Sequence, residues 1–241
     1  MDIVQHFDII NASVDEEKTI RYIVTYIAEH YTDKLDINKL ATVEVVDALP
    51  NDSSGRAVGN KILLARKNGL ELIKYDSILD VQVNDDVKVR MILSTIYHEL
   101  WHVTTWDKYH EMCEYIIKDE NDKDMFLVFA YMYWIEYIAH IETVFMEVTE
   151  VMKEFCESFV RHNWHKIEGG YGGFLKALPY YLVRAKYLNI FDELTQNIKC
   201  DELRIATYEF DNVSEELFYN SGLTDMEKAS IIKDMIVKLF E

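Results

Sequence analysis

The stretch that decides the fold of this chain is His98-Glu99-Leu100-Trp101-His102, which has the pattern H-E-x-x-H. Asn84, followed by Asp85 and Asp86, predicts the start of a helix, because an N-cap and acids in the first turn are favoured there. We therefore expect a helix from residue 84 to about residue 105. Four residues advance a helix by about 400°, so the two histidines lie about 40° apart on one face.

Two imidazoles one helical turn apart can bind a single Zn²⁺ at the distance of about 2.0–2.1 Å that nitrogen ligands require. Glu99 lies next to the same face and can take a proton from water at the metal, as the general base of zinc peptidases does. Residues 91–97 are apolar, which predicts a largely buried helix with Leu100 packed behind the site. The pattern thus predicts metal ligands at His98 and His102 and a catalytic base at Glu99.

A catalytic Zn²⁺ site needs a third protein ligand. Glu136 stands in the apolar stretch 126–141, where a carboxylate without a partner is costly and a metal ion would supply that partner. His140 lies one turn later on nearly the same face, and is the alternative third ligand or a supporting residue. His110 is a weaker alternative, because the longer histidine motif requires a glycine that is missing after His102.

The predicted order of elements is a helix, strands and then helices to the end. The spacing of apolar residues, the capping boxes and the loop residues indicate where each helix and strand begins and ends. The glycine run 169–173 is expected to end the first half, with two or three helical segments after it. The expected helices cover residues 13–30, 84–105 and 125–161, the expected strands cover 41–47 and 57–66, and the last helix opens with the capping box Thr224–Glu227.

The predicted fold class is α+β and mostly helical. The 241 residues, 49% of them hydrophobic, supply enough apolar material for a core and exclude general disorder. The aromatic residues near Trp134 are expected in that core. We expect a metal-site core at residues 1–165 and a helical extension at residues 166–241 that packs on it.

The combination of His98-Glu99-Leu100-Trp101-His102 with Glu136-Tyr137-Ile138-Ala139 resembles the gluzincin arrangement, and is most similar to the ImmA/IrrE family of compact metallopeptidases. The resemblance covers about residues 40–150, with Trp101 where the family usually has glycine. It implies that His98, His102 and Glu136 bind the metal and that Glu99 is the base. It also implies a zincin-like fold, in which the edge strand of a small sheet aligns a peptide and is followed by the metal helix and the glutamate helix.

The leading functional hypothesis is a zinc-dependent metallopeptidase that hydrolyses a peptide or protein, with the strand around Ile62–Ala65 pairing with the substrate. One alternative is a zincin-like scaffold that binds a partner without hydrolysis, and another is a hydrolase of small amides. A di-iron carboxylate bundle is disfavoured, because that site needs a second E-x-x-H and the chain has none. The group that stabilises the oxyanion, a tyrosine or a histidine, stays open, as does the oligomeric state.

The composition of the chain limits which binding partners and which cellular compartment are expected. With 25 basic and 43 acidic residues the net charge is −18, which argues against nucleic acids and anionic membranes as partners. The three cysteines form no C-x-x-C pair, so a reducing compartment is expected. We find neither a signal peptide nor a transmembrane stretch, and the prediction is a cytoplasmic protein.

Overall fold

The computed structural model describes residues 6–31, 34–50, 53–67, 69–72, 86–109, 112, 114, 124–166 and 170–240. The strands are β1 (Asp8–Ile10), β2 (Thr42–Val46), β3 (Gly55–Val58) and β4 (Lys61–Ala65). The helices are α1 (Val14–His30), α2 (Val87–Thr105), α3 (Met125–Thr143), α4 (Thr149–Arg161), α5 (Gly170–Tyr187), α6 (Phe191–Thr195), α7 (Asp201–Tyr219) and α8 (Asp225–Phe240). Helix predominates over one small sheet, as predicted for an α+β chain.

The chain forms two compact units. The first comprises Met1–Lys108 and Phe145–Val148, and the second comprises Tyr109–Val144 and Thr149–Glu241. The division predicted from the sequence, at residue 165, stays a prediction. In the described part of the chain, no helix is both long and apolar enough to cross a membrane.

The sheet of the first unit is mixed and has the strand order β1-β2-β4-β3. Strands β1 and β4 run parallel to β2, and β3 runs antiparallel to β4. Val43, Val45, Ile62 and Leu64 are buried, because alternate side chains of a strand point to one face. Helix α2 packs against β3, β4 and α1, so the sheet supports the helix that carries the H-E-x-x-H pattern.

The prediction of a single strand over residues 57–66 is wrong. The segment is a hairpin, with β3 and β4 joined by Gly59-Asn60. Gly59 has a φ of 62°, which residues with a side chain rarely adopt, so the glycine permits the turn. Strand β4 holds Ile62–Ala65 and lies between β2 and β3, so it cannot be the edge that pairs with a peptide. The outer strand beside β4 is β3.

Helix α1 begins as predicted, with a capping box. The backbone N–H of Glu16 donates to Ser13 Oγ at 3.3 Å, and the backbone N–H of Ser13 donates to Glu16 Oε2 at 2.7 Å. Helix α2 begins at Val87, three residues after the predicted Asn84, which lies outside the described residues. Asp86 is the N-cap instead, because its carboxylate accepts the first free N–H groups of the helix.

The predicted long helix over residues 125–161 is interrupted. A 3₁₀ turn, Val144–Met146, separates α3 from α4. Residues 144, 146 and 148 are buried while Phe145 is more exposed, an alternation of two residues that an α-helix does not produce. The Phe145 ring packs edge-on against Tyr97, with the ring centroids 5.5 Å apart. The absence of Gly and Pro favours one continuous helix, but the packing of residues 144–148 interrupts it.

The second unit is helical, with α3 packed against α5, α7 and α8. Its aromatic core confirms the sequence prediction, since four rings of α3 are buried: Tyr131, Tyr133, Trp134 and Tyr137. Helix α8 opens with the predicted capping box, in which Glu227 N–H donates to Thr224 Oγ1 at 3.2 Å. Helix α5 begins at Gly170, within the glycine run, where a Cβ would lie 1.7 Å from the Trp164 carbonyl oxygen.

Candidate metal centre

His98 and His102 lie one turn apart on α2, as their spacing predicts. Their Nε2 atoms are 3.1 Å apart, and both side chains are half-buried. Trp101 is buried, and its ring stands edge-on to His102 at a centroid distance of 5.2 Å. Leu100 is fully buried on the opposite side of the helix, which confirms the prediction that the metal helix is largely buried. The two imidazoles thus project from a helix that its own packing holds in place.

Glu99 is also buried, with 8% of its surface exposed. It lies against the first residue of β3, Gly55. A Cβ on Gly55 would be 2.9 Å from Glu99 Cγ, 3.1 Å from Glu99 Oε1 and 2.7 Å from Thr95 Cγ2. The strand can approach α2 this closely because position 55 has no side chain.

Glu136 lies on α3 among buried neighbours, but its own side chain is 30% exposed. Its Oε2 accepts a hydrogen bond of 3.2 Å from the hydroxyl of Tyr180 and lies 3.9 Å from Nε2 of the buried His140. The chain thus supplies a hydrogen-bond donor to this carboxylate, and its role as a metal ligand stays a prediction. The carboxylate is held rather than isolated.

The three predicted metal ligands are a group of side chains that could hold a metal ion. One ligand atom of each of His98, His102 and Glu136 lies within 4.8 Å of the other two, and this is the group of potential ligands found among the described residues. His140, the alternative third ligand, flanks Glu136 on α3 and is not in that group. His110, the weaker alternative, lies outside the described residues.

The chemistry of these donors fits a divalent metal ion. Neighbouring ligand atoms in a tetrahedral site with bonds of about 2.0–2.1 Å are roughly 3.3 Å apart. The 3.1 Å between the two histidine nitrogens already matches that spacing, although it equally suits an N–H···N hydrogen bond between neutral imidazoles. Two imidazoles and one carboxylate are a donor set of catalytic zinc sites with an open fourth position.

Sequence reasoning missed two residues at this centre. Tyr180 is 44 positions after Glu136, in a region where no pattern pointed to the site. Gly55 stands in a stretch that reads only as a loop before a strand. Neither carries a local signal, because each acts on a side chain from a distant segment.

The chain was compared with known proteins at the level of sequence and of structure. No protein-family model, no curated protein and no solved structure matches it.

Proposed function

We propose that this protein is a zinc-dependent metallopeptidase of zincin-like fold, related in its site to the ImmA/IrrE family that its sequence resembles. The observation that carries the proposal is the convergence of His98, His102 and Glu136 within 4.8 Å. Two of these residues flank Glu99 on the same helix. A zinc ion held there would act as a Lewis acid toward the scissile carbonyl and would make water more acidic at neutral pH.

Glu99 is the proposed general base. It takes a proton from the attacking water and gives it to the leaving amine. The carboxylate is anchored on a buried turn of α2 and confined by Gly55, so its position is fixed before substrate arrives. A metal site with only a structural role would have no use for a carboxylate at this position.

The proposed substrate is a peptide in extended conformation that adds to the edge of the sheet. Strand β3 is the outer strand of the described sheet, and its first residue, Gly55, adjoins Glu99. A peptide paired with β3 would run past the general base, whereas β4 has a neighbour on each side. Backbone pairing of this kind gives affinity with little dependence on sequence.

Replacement of Glu99 by glutamine tests the proposal. Glu99→Gln keeps the size of the side chain but removes its basicity, so we expect zinc binding near the parent level and a loss of cleavage of about 10²–10⁴-fold. A mixed peptide library read by mass spectrometry supplies the substrate, with chelator-treated and zinc-restored samples. The matched control is Glu150→Gln, which changes an exposed glutamate on α4.

Cleavage that survives Glu99→Gln undiminished would show that the chemistry lies elsewhere. Tight zinc binding without cleavage by the parent protein would instead favour the scaffold that binds a partner.

A further inference from the structure

Tyr180 of α5 makes a polar contact with Glu136. Its hydroxyl donates to Glu136 Oε2 at 3.2 Å. We propose that Tyr180 is a positioning residue, which orients the Glu136 carboxylate toward the metal ion through this hydrogen bond. The inference rests on the proposed function, because it assigns a supporting role at the same metal site.

The Tyr180 ring is held by packing on two sides. Its centroid lies 4.0 Å from that of the buried His140 ring, at an interplanar angle of 52°. The guanidinium carbon of Arg184, one turn along α5, lies 5.3 Å from the same centroid and 4.6 Å from that of Phe155. The His140 imidazole and the Arg184 guanidinium thus hold the Tyr180 ring in place. The position of the ring in turn determines the position of its hydroxyl group.

Glu136 benefits from such a partner because its side chain is 30% exposed and long enough to take several rotamers. A carboxylate that is already oriented loses less freedom when it binds an ion. Ligating carboxylates are commonly hydrogen-bonded for this reason, and loss of such a partner typically costs about 10–100-fold in metal affinity.

His140 is the other candidate for this role. Its Nε2 lies 3.9 Å from Glu136 Oε2, which is too long for a direct hydrogen bond, whereas the Tyr180 hydroxyl is within range. His140 therefore supports the tyrosine ring, and the tyrosine contacts the carboxylate.

The variant Tyr180→Phe tests the inference, since it keeps the ring and removes only the hydroxyl. We expect the affinity for Zn²⁺, measured by competition with a chromophoric chelator, to fall about 10–100-fold. We also expect a changed visible spectrum when Co²⁺ replaces Zn²⁺, because the carboxylate would bind in another orientation. Tyr187→Phe on the same helix is the control, because Tyr187 is exposed and should leave both readouts unchanged.

A double-mutant cycle shows whether Tyr180 acts through Glu136. In a Glu136→Ala background, Tyr180→Phe should cause no further loss of affinity, since the group that it orients is gone. Equal losses in both backgrounds would overturn the positioning role. So would a Tyr180→Phe protein with the parent affinity and the parent Co²⁺ spectrum.

The cycle also separates this inference from the proposed function. If Glu136→Ala lowers the affinity and Tyr180→Phe does not, only the inference fails. If the parent binds no Zn²⁺, or Glu136→Ala binds it as the parent does, the proposed metal site fails and the inference fails with it. With chelator present, the midpoint of thermal unfolding is expected to be the same for the parent and Tyr180→Phe. A large drop in the midpoint of the metal-free variant would indicate a purely structural role for Tyr180 and would overturn the inference.

Discussion

At the scale of single residues, Gly55 leaves room for the side chain of the proposed base, Glu99, and for that of Thr95. A strand and a helix approach each other there, and a methyl group would be 2.9 Å from Glu99 Cγ. Thr95 Cγ2 would be closer still, at 2.7 Å, and real Cβ atoms do not tolerate such distances, so the side chains of Thr95 and Glu99 both have to move. The carboxylate is at the free end of the Glu99 side chain, where a displacement matters most for proton transfer.

We expect Gly55→Ala to lower peptidase activity much more than zinc affinity. Overpacking of this kind typically costs about 1–3 kcal/mol, and the displaced side chains are Thr95 and the proposed base, neither of which is a proposed metal ligand. Cleavage rate and zinc affinity measured on the same preparation check the prediction. Gly172→Ala is the control, because no atom lies within 4 Å of the Cβ position at Gly172. A Gly55→Ala protein as active as the parent would contradict the proposed role of this contact.

The proposed metal ligands and the proposed base could be named from the sequence because their signal is local. His98, Glu99 and His102 follow the helical period, and Glu136 is a lone acid in an apolar stretch. Their roles stay predictions, although the structure brings the three proposed ligands together. Tyr180 could not be found in this way, because its relation to Glu136 depends on how α5 packs against α3.

At the scale of elements, a side-chain cap begins α2, the helix that carries His98, Glu99 and His102. The Asp86 carboxylate accepts hydrogen bonds from the backbone N–H groups of Lys88 at 2.8 Å and Val89 at 3.2 Å. These N–H groups have no partner within the helix, and the negative charge also suits the N-terminal end of the helix dipole.

We expect Asp86→Ala to destabilise the first unit by about 1 kcal/mol, the typical effect of losing an N-cap. Asp86→Asn is the matched control and should retain most of the stability, because asparagine caps a helix about as well. The midpoints of urea unfolding measured by circular dichroism give the comparison. Equal losses for the two variants would show that charge, and not capping, is what Asp86 contributes.

The elements were predicted where pattern and tertiary packing agree. The capping boxes at Ser13 and Thr224 begin helices as expected, because their hydrogen bonds lie within four residues. The interruption around Phe145 could not be predicted, since it arises from packing against Tyr97, far away in the sequence. The hairpin at Gly59-Asn60 was predictable in principle, because two such residues between short apolar runs are typical of a tight turn.

At the scale of the whole molecule, the prediction of an α+β, mostly helical chain is confirmed. Few Gly and Pro residues and apolar residues at helical spacing indicate helices, and two short stretches with apolar residues account for the inner strands, β2 and β4. The zincin-like identity stays a proposal. Composition and period can fix the class of a fold, but they do not determine which segments pack together.

The most direct test of the account is the position of zinc in crystals of the protein, measured by anomalous diffraction on both sides of the zinc absorption edge. We expect one zinc ion per chain, about 2.0–2.2 Å from a nitrogen of His98, a nitrogen of His102 and an oxygen of Glu136. Zinc bound at any other place on the chain would contradict the account. So would a zinc-saturated crystal in which these three side chains point in different directions.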